Sequence, residues 1–167
     1  VVKETKTPVI FRQVSTREEI GFLRAAKASG MDVGVEVNPQ HLFLTKTDLV
    51  CQGPFASVYP PLRELEDTIE LWGAVLDGTV DWIGTDHAPH ALEEKESGHE
   101  NIFNAPSGLP GLRTALPLLI NAVNCGQIDL TRVVEALCSV PAKRFGFPKK
   151  GKIEVGADAD LVLVDPN

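Results

Sequence analysis

Along the first half of the chain, short dense apolar runs alternate with longer stretches in which apolar residues recur at helical spacing. The first run, PVIFRQV at 8–14, predicts a strand. Ser15 follows with Glu18 three positions later, a spacing at which each side chain can satisfy the other's free backbone donor and so open a helix. Ile20, Leu23 and Ala26 fall on one face of that helix, and Gly30 stops it. MDVGVEV at 31–37 predicts a second, buried strand, and the handedness rule makes the two strands parallel with the helix packed outside. Residues 38–61 read as a loop, with Pro39, Pro54, Pro60 and Pro61 and a single short apolar run, LFL; loops of this length are often functional. A second helix is expected from about Leu62 to Leu76, with Leu65, Ile69, Trp72 and Leu76 on its apolar face and Gly78 after it, followed by a third strand, TVDWIG, at 79–84. A polar loop spans Thr85 to Pro110, helices follow near 111–124, 130–139 and 141–146, and the terminal KIEVGADADLVLVDP switches to strand character. The fold class is therefore α/β, with one main body at 1–149 and a small β appendage at 150–167.

Composition narrows the function classes. With 43% hydrophobic and 23% charged residues, the 167-residue chain has the profile of a globular domain, which excludes disorder and collagen-like repeats. There is no apolar stretch of the roughly 18 residues that a membrane helix needs, and VVKETKTPVI lacks the features of a signal peptide, so a cytoplasmic protein with no membrane partner is expected. A net charge of -7 sets the overall field against a phosphate backbone, so no nucleic-acid partner is expected. Cys51, Cys125 and Cys138 are odd in number and have no C-x-x-C spacing, which suits a reducing compartment and small buried hydrophobes.

The candidate chemistry is concentrated in Ile83-Gly84-Thr85-Asp86-His87-Ala88-Pro89-His90, where an apolar strand ends in a carboxylate followed closely by two imidazoles. In parallel α/β proteins ligands gather at the carboxyl ends of the strands, and an aspartate there can ligate a metal, act as a base, or both. Glu36 lies on an apolar strand, where a carboxylate is costly unless it ligates or is paired; it is either a metal ligand near the mouth or the partner of a cation such as Arg12.

GTDHAPH, the LEEKE after it, FNAPSGLPGLRTALPLL beyond, VEVNPQHLFLT before and GADADLVLVDP at the end resemble, in order and spacing, the C-terminal part of a dihydroorotase of the amidohydrolase superfamily. The resemblance implies a (β/α)8 barrel of which this chain carries the last three strands, plus part of a small β domain. It implies one or two zinc ions in the complete protein and a metal-bound hydroxide that opens a cyclic amide, interconverting dihydroorotate and carbamoyl aspartate in pyrimidine synthesis. On this mapping Asp86 is ligand and proton shuttle, His90 contacts the substrate's carboxylate, Ala105 and Gly108 lie in the covering loop, and Arg63 is available to bind substrate. The first five strands and their ligands have no counterpart here. Asp86 with Glu36 or a loop histidine falls short of the three or four ligands of a zinc site, so neither bound zinc nor activity is expected of the isolated chain.

The chain also departs from the family inside the matched region. Gln13 stands where the sixth strand would end in a metal-binding histidine, with the cationic Arg12 beside it. Gln40 replaces the first of two adjacent histidines, leaving His41 as a packed or hydrogen-bonded residue, and Tyr59 replaces the Asn or Arg before Pro60. Three readings follow: a catalytic dihydroorotase, a dihydroorotase-like subunit that has lost catalysis and holds a partner such as aspartate transcarbamoylase, and a hydantoinase or allantoinase-type hydrolase. Three barrel strands leave two open edges, so the segment should pair with the missing N-terminal half or with a second copy of itself.

Overall fold

In the computed structural model, which describes residues 2–165, a three-stranded sheet is backed by helices. Strand β1 is Val9–Phe11, helix α1 Arg17–Ala28, strand β2 Val33–Val37, helix α2 Leu65–Leu76, strand β3 Trp82–Ile83 and helix α3 Gly111–Asn124. The strands lie in the order β1-β2-β3 and are parallel throughout, with Val9 beside Val33 and Val37 beside Ile83. The predicted β-α-β organisation is present, and the strands are shorter than the apolar runs that announced them. At β3 the difference has a local cause: the Asp81 carboxylate takes the Val35 N–H at 2.8 Å and the Lys27 ammonium at 2.7 Å, a task the ladder would otherwise share.

Alternation along the strands divides the sheet into two faces. Phe11, Val35, Val37 and Ile83 join Ile20 and Leu23 of α1 and Leu71, Ala74 and Val75 of α2 in the core. The opposite face carries Ile10, Arg12, Gly34, Glu36, Trp82 and Gly84, and a Cβ on Gly34 would come within 2.8 Å of the Trp82 ring. Among the described residues β1 and β3 pair only with β2, so each presents an open edge.

Several expectations need correction. The helix-opening box is Thr16 with Glu19, one residue beyond Ser15 and Glu18: Thr16 Oγ1 accepts from the Glu19 N–H at 3.2 Å, and the Glu19 carboxylate accepts from the Thr16 N–H at 2.9 Å. Ser15 is buried instead, its hydroxyl accepting from Arg63 Nε. Helix α2 begins at Leu65 and is rotated relative to the predicted face, burying Thr68, Leu71, Trp72, Ala74 and Val75 while Leu65, Ile69 and Leu76 are exposed. The helix carries two overlapping apolar stripes that share Trp72, and the indole N–H, donated to the Leu42 carbonyl at 2.7 Å, fixes which stripe faces inward.

The expected loop 38–61 is largely helical, comprising Pro39–Phe43, Lys46–Gln52 and the 3-10 turn Gly53–Ala56. After α3 the chain forms Leu130–Val134, a wide π turn at Glu135–Ser139 and Val140–Arg144. Cys51, Cys125 and Cys138 are exposed rather than buried, each lying at a helix end or on an outer helical surface. Residues 150–165 form no strand, and Ile153, Val155 and Leu161 to Val164 remain exposed; Val1, Pro166 and Asn167 lie outside the described residues. A strand requires a hydrogen-bonding neighbour, and this segment pairs with none of the three described strands. Among the described residues no helix is long and apolar enough to cross a membrane.

Candidate functional site

The carboxyl ends of the three strands bring together Gln13 after β1, Asn38 to His41 after β2, and Asp86 after β3. Gln13 and Asp86 both adopt left-handed backbone, with φ of 56° and 48°. That conformation costs a non-glycine residue about 1–2 kcal/mol and persists only where its surroundings hold it. Here each strained residue contributes one end of a hydrogen bond. Gln13 Nε2 donates to Asp86 Oδ1 at 2.8 Å, and Gln40 Nε2 donates to Asp86 Oδ2 at 2.9 Å. Each carboxylate oxygen is thus held by a neutral amide, and Gln40 is itself buried.

Beside this cluster, Asn38 Nδ2 donates to the Gly84 carbonyl at 2.9 Å, tying the end of β2 to that of β3. His41 Nε2 lies 2.9 Å from the Pro60 carbonyl; a carbonyl only accepts, so Nε2 carries the proton and Nδ1 is left as an acceptor. His41 Nδ1 and Asn38 Oδ1 are buried acceptors without a hydrogen-bond partner among the described residues. Burial pushes the His41 imidazole below its ordinary pKa against the opposing pull of the Pro60 carbonyl, and the nearby Arg63 charge lowers it further. His41 is therefore a neutral, packed residue, as the sequence led one to expect. Arg63 is half-buried, and among the described residues its side chain is spent through Nε alone, on Ser15 Oγ at 3.2 Å.

Glu36 does not join the cluster, which corrects its assignment as a metal ligand. Its Oε1 accepts from Arg12 Nε at 3.1 Å and its Oε2 from Trp82 Nε1 at 2.8 Å, so the alternative reading, a pair with Arg12, is the one the structure adopts. A Cβ on Gly84 would sit 2.7 Å from the Glu36 carboxyl carbon, so only glycine leaves room for this buried acid.

His90 lies on an exposed turn, with Nδ1 3.7 Å from Glu94 and no hydrogen bond to Asp86. His87 instead accepts from the Leu112 N–H at 3.1 Å, anchoring the start of α3. Ala105 is buried, and Gly108, at φ 150°, donates its N–H to the Ser57 carbonyl. That carbonyl also accepts from Lys95 Nζ at 2.9 Å. Lys95 is nearly fully buried, and burial pushes its ammonium below the ordinary range. Sequence reasoning missed this lysine: LEEKE, which forms the short helix Leu92–Glu96, is charged at four of its five positions and carries no signal of burial.

The donor set does not fit the zinc centre that the sequence resemblance implies. Among the described residues no three His, Cys, Asp or Glu side chains come together. At the mouth there is one carboxylate with two amides, and an ionised carboxylate only accepts, so both glutamines turn their NH2 ends toward it.

Residues 23–167 match the family model described as the amidohydrolase family. An L-hydantoinase of Paenarthrobacter aurescens is 40% identical over 165 residues, covering 98% of this chain and 36% of the relative. A dihydroorotase of Shouchella clausii is 44% identical over 153 residues, covering 91% of this chain and 35% of the relative. The solved L-hydantoinase (dihydropyrimidinase) from Arthrobacter aurescens superposes with a TM-score of 0.89 at 40% identity, covering 94% of this chain and 35% of its own. The chain thus spans about a third of the length of the relatives it matches.

Proposed function

The chain belongs to the amidohydrolase family, and from that premise we propose that the protein carrying it is a cytoplasmic hydrolase of a cyclic amide, of dihydroorotase or hydantoinase type. The reading places this segment in the last three strands of a (β/α)8 barrel, with the open edges of β1 and β3 paired to further strands of the same polypeptide or of a second copy. Residues 150–167 then complete a small β domain with strands from elsewhere.

The observation that carries the proposal is Asp86 itself, a carboxylate at the carboxyl end of β3, aimed by Gln13 and Gln40 and free of any ion pair among the described residues. Its two oxygens accept one amide each and retain lone pairs. In the proposed reaction water adds to the ring carbonyl, the ring C–N bond breaks, and one proton moves from the attacking water to the departing nitrogen. Asp86 takes that proton and returns it, within the general acid-base role expected of a positioned carboxylate. Arg63 supplies its unspent guanidinium N–H groups to a substrate carboxylate, as dihydroorotate carries. His90 reaches the same group by turning from Glu94, and the loop bearing Ala105 and Gly108 covers it.

The test is turnover of dihydroorotate and of hydantoin by the full-length protein and by Asp86→Asn. Loss of about 10²-fold or more in kcat supports the assignment, in line with the usual worth of a positioned acid-base group. Unchanged turnover in the variant, or none in the folded wild type, overturns it. A second reading, a non-catalytic subunit holding a partner such as aspartate transcarbamoylase, is favoured by glutamine at both positions where the family resemblance leads one to expect imidazole. Under that reading neither substrate turns over, and the protein co-sediments with the transcarbamoylase.

A further inference from the structure

We propose that the Gln13–Asp86–Gln40 cluster contributes no ligand to a metal ion, the two glutamine amides taking the place of a cation as the electrostatic partner of Asp86. The inference deepens the functional reading of the same site, yet the two can fail separately. Metal held through Asp86 would defeat it while leaving hydrolysis untouched, and absence of turnover would defeat the hydrolase reading while leaving it standing.

Three observations carry it. First, the Nε2 atoms of Gln13 and Gln40 stand 2.8 and 2.9 Å from the two oxygens of one carboxylate. An ion bound to those oxygens at about 2.0–2.2 Å would meet two NH2 groups bearing partial positive charge. To become ligands both amides would have to reverse, breaking both hydrogen bonds in order to offer carbonyl oxygens that zinc binds weakly.

Second, the backbone maintains the arrangement. Gln13 and Asp86 hold left-handed φ values at the ends of β1 and β3, and Asn38 ties Gly84, two residues before Asp86, to the end of β2. Gln40, in the short helix Pro39–Phe43, is buried and has little freedom to withdraw.

Third, the remaining groups of ligating type are committed elsewhere or too few. Glu36 is taken by Arg12 and Trp82, and His87 by the Leu112 N–H. His41 Nδ1 is unpartnered among the described residues, and no second ligating side chain of this segment gathers with it beside Asp86.

The experiment uses the full-length protein, stripped with chelator and dialysed against Zn2+, with Co2+ in parallel so that its absorption bands report ligand geometry. Wild type and Asp86→Asn should bind the same number of zinc ions with superimposable cobalt spectra, because whatever metal the protein holds is held elsewhere. The double variant Gln13→His, Gln40→His should take up about one further equivalent, since imidazoles supply two strong ligands beside a carboxylate that holds no metal in the wild type. A drop of half an equivalent or more in Asp86→Asn, or an altered cobalt spectrum, overturns the proposal. So does a double-histidine variant, folded by circular dichroism, that gains no further equivalent; that arm leaves Asp86 intact and decides the matter even where Asp86→Asn fails to fold.

Discussion

Replacing Gly84 by alanine tests whether the buried acid on β2 organises the end of the sheet. The added Cβ would lie 2.7 Å from the Glu36 carboxyl carbon and 2.9 and 3.1 Å from its oxygens, whereas carbon atoms in contact prefer about 3.5–4.0 Å. The carboxylate must therefore retreat by most of an ångström, and it has no slack: Oε2 holds the Trp82 indole at 2.8 Å inside the protein. A retreat of that size takes the bond beyond hydrogen-bonding range. A hydrogen bond to a charged acceptor is worth about 1.5–3 kcal/mol. The Arg12 arm adds at most about 1 kcal/mol, since its side chain is 66% exposed and solvent screens the pair. Lower unfolded-state entropy offsets about 0.4–1 kcal/mol, as for any Gly-to-Ala change in ordinary backbone. The expected net loss is about 1–3 kcal/mol, read as a lower urea midpoint of the full-length protein by tryptophan fluorescence. The diagnostic step repeats the change in a Glu36→Ala background, where the obstructing atoms are gone and the cost should fall to near zero. A coupling of that size exceeds the roughly 0.3–0.5 kcal/mol scatter of independent sites. Equal losses in the two backgrounds would show that Gly84 is required for some reason other than Glu36.

Two further outcomes follow from the geometry. Gly108→Ala places a Cβ 2.4 Å from the Ala88 carbonyl at a φ of 150°, so the loop should release its hold on Ser57; limited proteolysis should then cut faster within 91–110 while cleavage elsewhere keeps its wild-type rate. His41 has its folded pKa lowered by burial, so its neutral form stabilises the fold fully above the ordinary value of 6.5, and that contribution is lost as pH falls through the folded value. Unfolding midpoints measured from neutral to acid pH should converge for wild type and His41→Gln as the medium acidifies; a gap that widens would reverse the assignment.

Much of this architecture is legible from periodicity alone. The β-α-β order, the buried face of α1 and the position of Asp86 all follow from local pattern and from the rule that strand ends collect chemistry. What the pattern cannot resolve is a choice between equivalent local solutions. Ser15 with Glu18 and Thr16 with Glu19 have the same spacing, and only the burial of Ser15 against Arg63 selects the second. Likewise α2 carries two apolar stripes, and a hydrogen bond from Trp72 to Leu42, 30 residues away, decides between them. The site shows the same limit on a larger scale. Gln13 and Gln40 each stand out in the sequence as departures, but Gln13 is 73 residues from Asp86 and Gln40 is 46, and only three parallel strands in register bring both amides to one carboxylate.

The two acids at the end of the sheet show how charge is distributed there. Glu36 is buried within the face and is compensated by a guanidinium and an indole, so its field is largely cancelled where it sits. Asp86 is only partly buried and is compensated by dipoles alone, so its negative charge persists at the mouth. A buried, neutral His41 adds no cation to balance it, and Arg63, whose charge acts on the same imidazole, keeps most of its guanidinium unspent among the described residues. Asp86, an acceptor held by amides, and Arg63, a cationic donor, thus both act on the same buried imidazole. Under the proposed hydrolysis this polarity sets the orientation of a ring that carries both an amide N–H and a carboxylate: the carboxylate turns to Arg63, and the scissile amide turns to Asp86.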